Sequence, residues 1–307
     1  GCTALSIAAE EGDAAVVRTL LDSKAVVSLQ EADGNTALTR ACYYWKDGAH
    51  TRIVKLLLDA GAEPRAFKKN GFNALLLCAQ KGRLELTRTL ITETDPGNRA
   101  ILVNDACQPL ESESRLADLK GTTPFMMACK HGHVQLARLL LHHNALPEAA
   151  DAKGRTALHL SCLNGQKDSV RLLHELRAGS SVANDGLTVL MAAARGDLPE
   201  VVQELLEREG ARRISMIQED SKLTRPPKRQ RSIASIDASS EDGMTALMYA
   251  CEHGLERVAR VLLQYGADPR QSNATGRVAS VIARDHGHDD DMGLLLEACV
   301  AHGQVEL

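Results

Sequence analysis

Aromatic residues are scarce in this chain, with three Phe, four Tyr and one Trp among 307 residues. A core that cannot rest on large rings has to be built from aliphatic side chains and alanine. No apolar run approaches the ~18 residues of a membrane-spanning helix, so no membrane partner is expected. Neither sign of charge dominates. A net charge of −4 gives no global attraction to nucleic acid or to an anionic membrane, and no nucleic-acid partner is expected. No Cys-x-x-Cys pair and no zinc-ligand spacing occurs. A phosphate-binding glycine loop, a paired-carboxylate motif and a His–Cys constellation are all missing too, which argues against intrinsic catalysis and against a cofactor. No signal peptide is visible, and Gly1 stands inside a repeated unit without a leading Met, as expected of a fragment of a longer protein.

What is present is repetition. The clearest unit runs from Asp242 to Pro269. Gly243 opens a turn, Thr245-Ala246-Leu247 starts a short helix that Gly254 ends, and Leu255 to Tyr265 form a second helix that Gly266 ends. The Thr slot of this unit recurs as Thr3, Thr36, Asn73, Thr123, Thr156, Thr188, Thr245 and Val278. The steps between them are 33, 37, 50, 33, 32, 57 and 33 residues. A Leu follows the slot by 17 residues in seven copies; the second copy needs 21, to Leu57, because of four extra residues between its helices.

A period of 33 with Thr-(Pro/Ala)-Leu near its front resembles the ankyrin-repeat family. The resemblance implies an all-α solenoid of stacked helix-turn-helix units with hairpin-like finger loops. Taken as a single array over 1–307, the repeats fall at about 1–25, 33–64, 70–91, 119–146, 152–179, 184–207, 241–269 and 274–297. Insertions occupy 92–118 and 208–240. Each helix is too short to be stable alone, so stability has to come from stacking on neighbours. Cys42, Cys129, Cys162 and Cys251 lie six residues after the slot and Cys78 five after. In the family these positions are usually Ala on the buried side of the first helix, so the thiols are expected to act as small core hydrophobes. That usage points to a reducing compartment, cytoplasmic, nuclear or both.

The resemblance also implies a function: a scaffold or adaptor that binds a protein partner through its concave face and finger tips. A monomer is expected. The position just before each Thr is expected to be solvent-exposed, and its chemistry varies from copy to copy. Phe72, Leu187 and Met244 are apolar there and Arg155 is charged, which makes all four candidate contacts. The extra residues of the second copy place Tyr43, Tyr44 and Trp45 in one turn. Such rings are enriched among interface hot spots. A partner contact and a turn folded back over its own repeat are both consistent with them. His159 occupies the family's His slot, whose imidazole bridges turns between repeats.

The insertions differ in kind. In 92–118, Asp95-Pro96-Gly97-Asn98 reads as a turn, Ile101 to Val103 as an apolar docking segment, and Glu111 to Asp118 as polar and mobile. The 208–240 insertion is basic, has no aromatic residue, and reads as a disordered loop. Lys228, Arg229 and Arg231 form a short basic cluster of nuclear-localisation type, or simply a solvated charge run. Ser215 and Ser232 follow basic residues as kinase sites do, and a phosphate on Ser232 would offset much of the adjacent positive charge. Two alternatives to a plain adaptor therefore stand. One is the substrate-recruiting part of a larger enzyme such as a ubiquitin ligase or kinase. The other is a nuclear regulator with a phosphorylatable localisation loop. Arg195-Gly196-Asp197 falls in a repeat turn and is not read as an adhesion motif. The His286–Asp291 run fits a Gly-His turn and a helix start better than a metal site.

Overall fold

A computed structural model describes residues 2–45, 48–109, 118–176, 182–208 and 236–288. Among the described residues the regular structure is helical, with isolated antiparallel bridges at Ala150–Thr156, Val182–Thr188 and Ser272–Val278. The chain divides into two compact units, Gly1–Ala157 and Leu158–Leu307. The division falls at the start of a helix and in neither insertion.

The first unit holds α1 (Ala4–Glu11), α2 (Ala14–Asp22), α3 (Ala37–Tyr43), α4 (Gly48–Asp59), α5 (Ala74–Lys81), α6 (Leu84–Glu93), α7 (Pro96–Asn104), α8 (Pro124–Lys130) and α9 (Val134–His142). In it α1, α3, α5 and α8 stack in sequence as one layer, and α2, α4, α6 and α9 form a second layer against them. The second unit takes in nearly all of α10 (Ala157–Leu163), then α11 (Lys167–Glu175), α12 (Val189–Arg195), α13 (199–208), α14 (Ala246–Glu252), α15 (Glu256–Gln264) and α16 (Ala279–Asp285). There α12, α14 and α16 stack, with α15 paired to α14.

The Thr slot is a helix N-cap. A capping side chain accepts a hydrogen bond from one of the first orphan N–H groups of the helix. The Oγ1 of Thr3, Thr36, Thr123, Thr188 and Thr245 accepts from the N–H three residues on, at 3.0 to 3.3 Å. Asn73 does the same with Oδ1 at 2.9 Å. Val278 has the same extended backbone but no side-chain bond to give.

Small residues set the spacing of the stacked helices. Ala9, Ala41, Cys42, Cys78, Ala79, Ala128, Cys129, Cys162, Ala193, Ala194, Ala250, Cys251 and Ala283 are all 0% exposed. All the described Cys are free thiols, and burial pushes those of Cys129, Cys162 and Cys251 up to about 12. These are inert packing groups, as their spacing predicts. Fingers join through single backbone bonds in which one finger's N–H meets the carbonyl just before the glycine of the preceding finger. Examples are Lys69 to Asp33 at 3.1 Å, Ala152 to Lys120 at 2.9 Å and Ala274 to Asp242 at 2.9 Å. The approach is close enough that a Cβ on Gly243, at φ +75°, would sit 2.6 Å from the Ala274 nitrogen.

The 92–118 insertion contains a helix where a turn is expected. Asp95 caps it, its Oδ2 accepting from the Gly97 N–H at 3.1 Å, and Pro96 stands in the first turn, where its missing N–H costs nothing. The same residues that signal a turn therefore start α7. Leu102 and Val103 are fully buried, with α7 packed on α6 and α8, while Ile101 stays half-exposed. Cys107 then pairs with the next finger, donating to the Thr122 carbonyl and accepting from the Gly121 N–H, both at 2.9 Å. The polar stretch 110–117 lies outside the described residues.

Candidate functional site

Three of the exposed-slot expectations are overturned. Phe72 is 2% exposed, Leu187 5% and Arg155 8%. Of the residues just before the slot, only Cys2 and Arg277 are fully exposed. Arg155 is consumed by the fold. Its guanidinium donates to Asp151 at 2.7 to 2.8 Å and to the Asp118 carbonyl at 2.6 Å, with the Asp118 carboxylate 3.2 Å away. Burial works against its charge, but the Asp151 bond and the two nearby carboxylates hold its pKa above the ordinary value. Met244 is half-buried, its sulfur 3.6 Å from Asn273 Nδ2. In the second unit the buried His159 places Nε2 3.2 Å from the Leu187 carbonyl, the bridging role expected of that slot. Gly196 of the Arg-Gly-Asp run is a packing residue: a Cβ there would lie 1.8 Å from the Cys162 carbonyl. Lys228, Arg229, Arg231, Ser215, Ser232 and Asp289–Asp291 lie outside the described residues. His286 sets Nδ1 2.9 Å from the Ile282 carbonyl.

The turn after α3 does gather a surface feature. Tyr43 and Tyr44 remain 37% and 40% exposed, their rings in an edge contact at 4.9 Å. Lys81, at the end of α5, places Nζ 4.7 Å from the Tyr43 ring centre, and Lys68 lies 5.9 Å from it. The Arg83 guanidinium stacks 4.7 Å over Trp45. Each is a cation–π approach. Trp45 thus covers its neighbouring repeat, while the tyrosines remain partly exposed. The covering role expected of this turn is met by Trp45.

Below the rings is an open cleft of about 370 Å³ lined by Asp33, Asn35, Arg40, Lys68, Asn70 and Gln80, with Phe72 and Leu77 as its apolar part. A salt-bridge network that sequence reasoning missed fixes its floor. Arg40 donates Nε to both oxygens of Glu31 at 3.0 to 3.1 Å and Nη2 to Glu31 at 2.5 Å, and it also pairs with Glu10. Glu31 in turn accepts from the Ser6 hydroxyl. Burial opposes ionisation of Glu31, but the bonds from Arg40 and Ser6 outweigh it and hold its carboxyl below the usual value. The Arg40 guanidinium is kept charged by the same bonds. Lys68 is different: half-buried and close to Arg40, it titrates below an ordinary lysine despite Asp33 nearby. No carboxylate forms an ion pair with Lys68, Lys81 or Arg83 among the described residues. The repeated N-cap and glycine positions could have located the frame of this site. Nothing local marks Glu31, which reaches Arg40 only once the finger folds back over α3.

Helix pairs stacked within each unit, with fingers joined by backbone bonds, are the architecture of a repeat protein. Among the described residues no group of three or more His, Cys, Asp or Glu could hold a metal, and no helix is long and apolar enough to cross a membrane. A family model described as ankyrin repeats (3 copies) matches the chain in overlapping segments at 5–100, 46–151, 98–179, 148–220 and 174–304. The chain belongs to the ankyrin-repeat family.

Two of the relatives below are named for ankyrin repeats beside another domain. "Ankyrin repeat and KH domain-containing protein mask-1" of Caenorhabditis elegans is 29% identical over 298 residues, 95% of this chain and 10% of that protein. "Probable E3 ubiquitin-protein ligase XBOS32" of Oryza sativa subsp. japonica is 30% identical over 152 residues, 45% of this chain and 30% of the rice protein. "Ankyrin repeat and LEM domain-containing protein 1 homolog" of C. elegans is 43% identical over 51 residues, 17% of this chain and 7% of the relative. The chain therefore spans a tenth of the first relative and under a third of the second. Ankyrin repeats imply protein–protein interaction.

Proposed function

We propose that this chain is a protein-interaction module without catalytic chemistry of its own, and that the turn at Tyr43, Tyr44 and Trp45 anchors its partner. The supporting observation is the pairing of two 37–40% exposed tyrosines with an open cleft whose floor is cross-braced by Arg40, Glu31 and Glu10. Rigid, partly exposed rings bind at low ordering cost. The module acts in the cytoplasm, the nucleus or both, as a monomer, on protein rather than nucleic acid. Met244 is a weaker contact candidate, since it is half-buried where the tyrosines are exposed.

A quantitative pull-down tests this. The chain and its Tyr43→Ala/Tyr44→Ala/Trp45→Ala variant, both shown folded by circular dichroism, are compared for captured proteins. Loss of a discrete partner from the variant is the expected result. Equal capture by both would make the aromatics structural cover only. A second reading, the recruiting region of a larger enzyme, is favoured by the printed name of the rice relative. It is separated from the first by whether the captured protein becomes ubiquitinated when the surrounding polypeptide is present.

A further inference from the structure

Two lysines meet at the Tyr43 ring. Arg40, Arg65 and Arg155 are each tied to carboxylates. Lys68 and Lys81 instead converge on one tyrosine ring with no ion-pair partner, in a chain whose net charge is −4. The same sign continues at the end of the next first-layer helix. Lys130 is half-buried there, and His131 titrates below an ordinary histidine through burial and the charges of Lys130, His133 and Lys81. Asp33 faces the cleft and interacts with Lys68, Glu10 and Glu31 are taken up by Arg40, and Asp118 and Asp151, which also act on Lys130, are paired with Lys153 and Arg155. The surplus at this side of α3, α5 and α8 is therefore positive.

We propose that this surface docks an extended acidic peptide segment of the partner, with carboxylates on Lys68, Lys81 and Lys130 and an apolar or aromatic side chain on Tyr43. This rests on the interaction function proposed above and names the chemistry it selects. Lys81 and Lys130 close equivalent helices, α5 and α8, and packed helices lie about 8–10 Å apart. A segment extended as polyproline II rises about 3.1 Å per residue and returns to the same side every three residues, so acidic side chains three apart lie about 9 Å apart on one face. The available cations also favour carboxylate over phosphate. Phosphate recognition draws on a free guanidinium fork, but Arg40 is held by Glu31 and Glu10 and Arg83 is stacked on Trp45. Asp33 in the cleft, and the acidic excess of the whole chain, disfavour a nucleic-acid backbone.

The test is a selection of random dodecapeptides on the whole chain, followed by fluorescence anisotropy with a synthetic selected peptide. Selected peptides should be enriched in Asp and Glu at a spacing of about three residues. Their affinity should fall with added salt. Lys81→Glu changes one exposed side chain and should weaken binding by about tenfold or more, and Lys68→Glu/Lys81→Glu further. A peptide with its acids changed to Lys should bind that double variant better than it binds the parent chain. Four results would overturn the proposal: peptides without acidic enrichment, affinities indifferent to both lysine variants, a requirement for phosphoserine in place of Glu, or displacement by a polyuridylate oligonucleotide. Peptides lost on the triple aromatic variant but kept on both lysine variants would refute the acidic specificity and leave the interaction function standing. No peptide bound by any variant, together with no partner captured in the pull-down, would refute both.

Discussion

Replacing Val278 with Thr should stabilise the protein, because the slot it occupies is built for a cap that valine cannot supply. Val278 has φ −92° and ψ 166°, nearly the −95° and 168° of Thr245, whose hydroxyl accepts from the Met248 N–H at 3.3 Å. A hydroxyl on Val278 would face the Val281 N–H in the same way. An N-cap bond contributes about 1 kcal/mol. Val278→Thr removes one half-buried methyl, which offsets this by about 0.4 kcal/mol, half the value of a fully buried group. The remaining gain of about 0.6 kcal/mol corresponds to about threefold. Hydrogen exchange on the intact chain reads it locally, and the α16 amides should exchange about threefold more slowly. The converse substitution Thr245→Val should speed exchange in α14, since it strips a buried cap. Unchanged or faster exchange in α16, with circular dichroism unaltered, would refute the idea that the Thr slot works as a cap.

Other perturbations probe the floor of the cleft and the packing. Glu31→Gln leaves the Arg40 guanidinium short of its main partner and should lower unfolding free energy by about 3 kcal/mol, measured by urea denaturation. Glu31 and Asp118 both have carboxyl pKa values held below their ordinary 4.5 and 3.8. For Glu31 burial opposes the shift and Arg40 and Ser6 outweigh it; for Asp118 burial again opposes, and Lys153 and Arg155 outweigh it. A depressed folded value means stability that is complete above the unfolded pKa and lost as the pH falls through the folded one. Thermal stability should therefore drop below about pH 4, and the drop should shrink in Glu31→Gln. Gly196→Ala forces a Cβ to within 1.8 Å of the Cys162 carbonyl, so it should cost about 2 kcal/mol or more and lower the melting temperature.

What the sequence made legible was local. The Thr slot, the glycine turns and the small residues of the first helices act within one repeat or on its immediate neighbour, and a fixed period exposes all three. Asn73 was readable as a cap because its side chain reaches the same N–H as a threonine hydroxyl. Burial of Phe72, Leu187 and Arg155 was not readable, because it arises from the close approach of adjoining fingers, which no single repeat encodes. Arg155 looked like a free charge until Asp118, 37 residues earlier, was brought to it. α7 was hidden by its own start, since Asp-Pro-Gly-Asn serves a turn or a helix N-terminus equally well. The aromatic turn was visible as an anomaly of length and composition. Its cation–π partners lie on another repeat, so its geometry was not.

Site-specific photo-crosslinking addresses the central claim most directly. A benzoylphenylalanine at position 44 in the intact chain is compared with one at position 88, an exposed site on α6. A discrete protein adduct from position 44, lost when Tyr43 and Trp45 are changed to Ala and not formed from position 88, is the predicted result. No adduct from position 44, or the same adducts from both positions, would contradict the account of this turn as the partner's anchor.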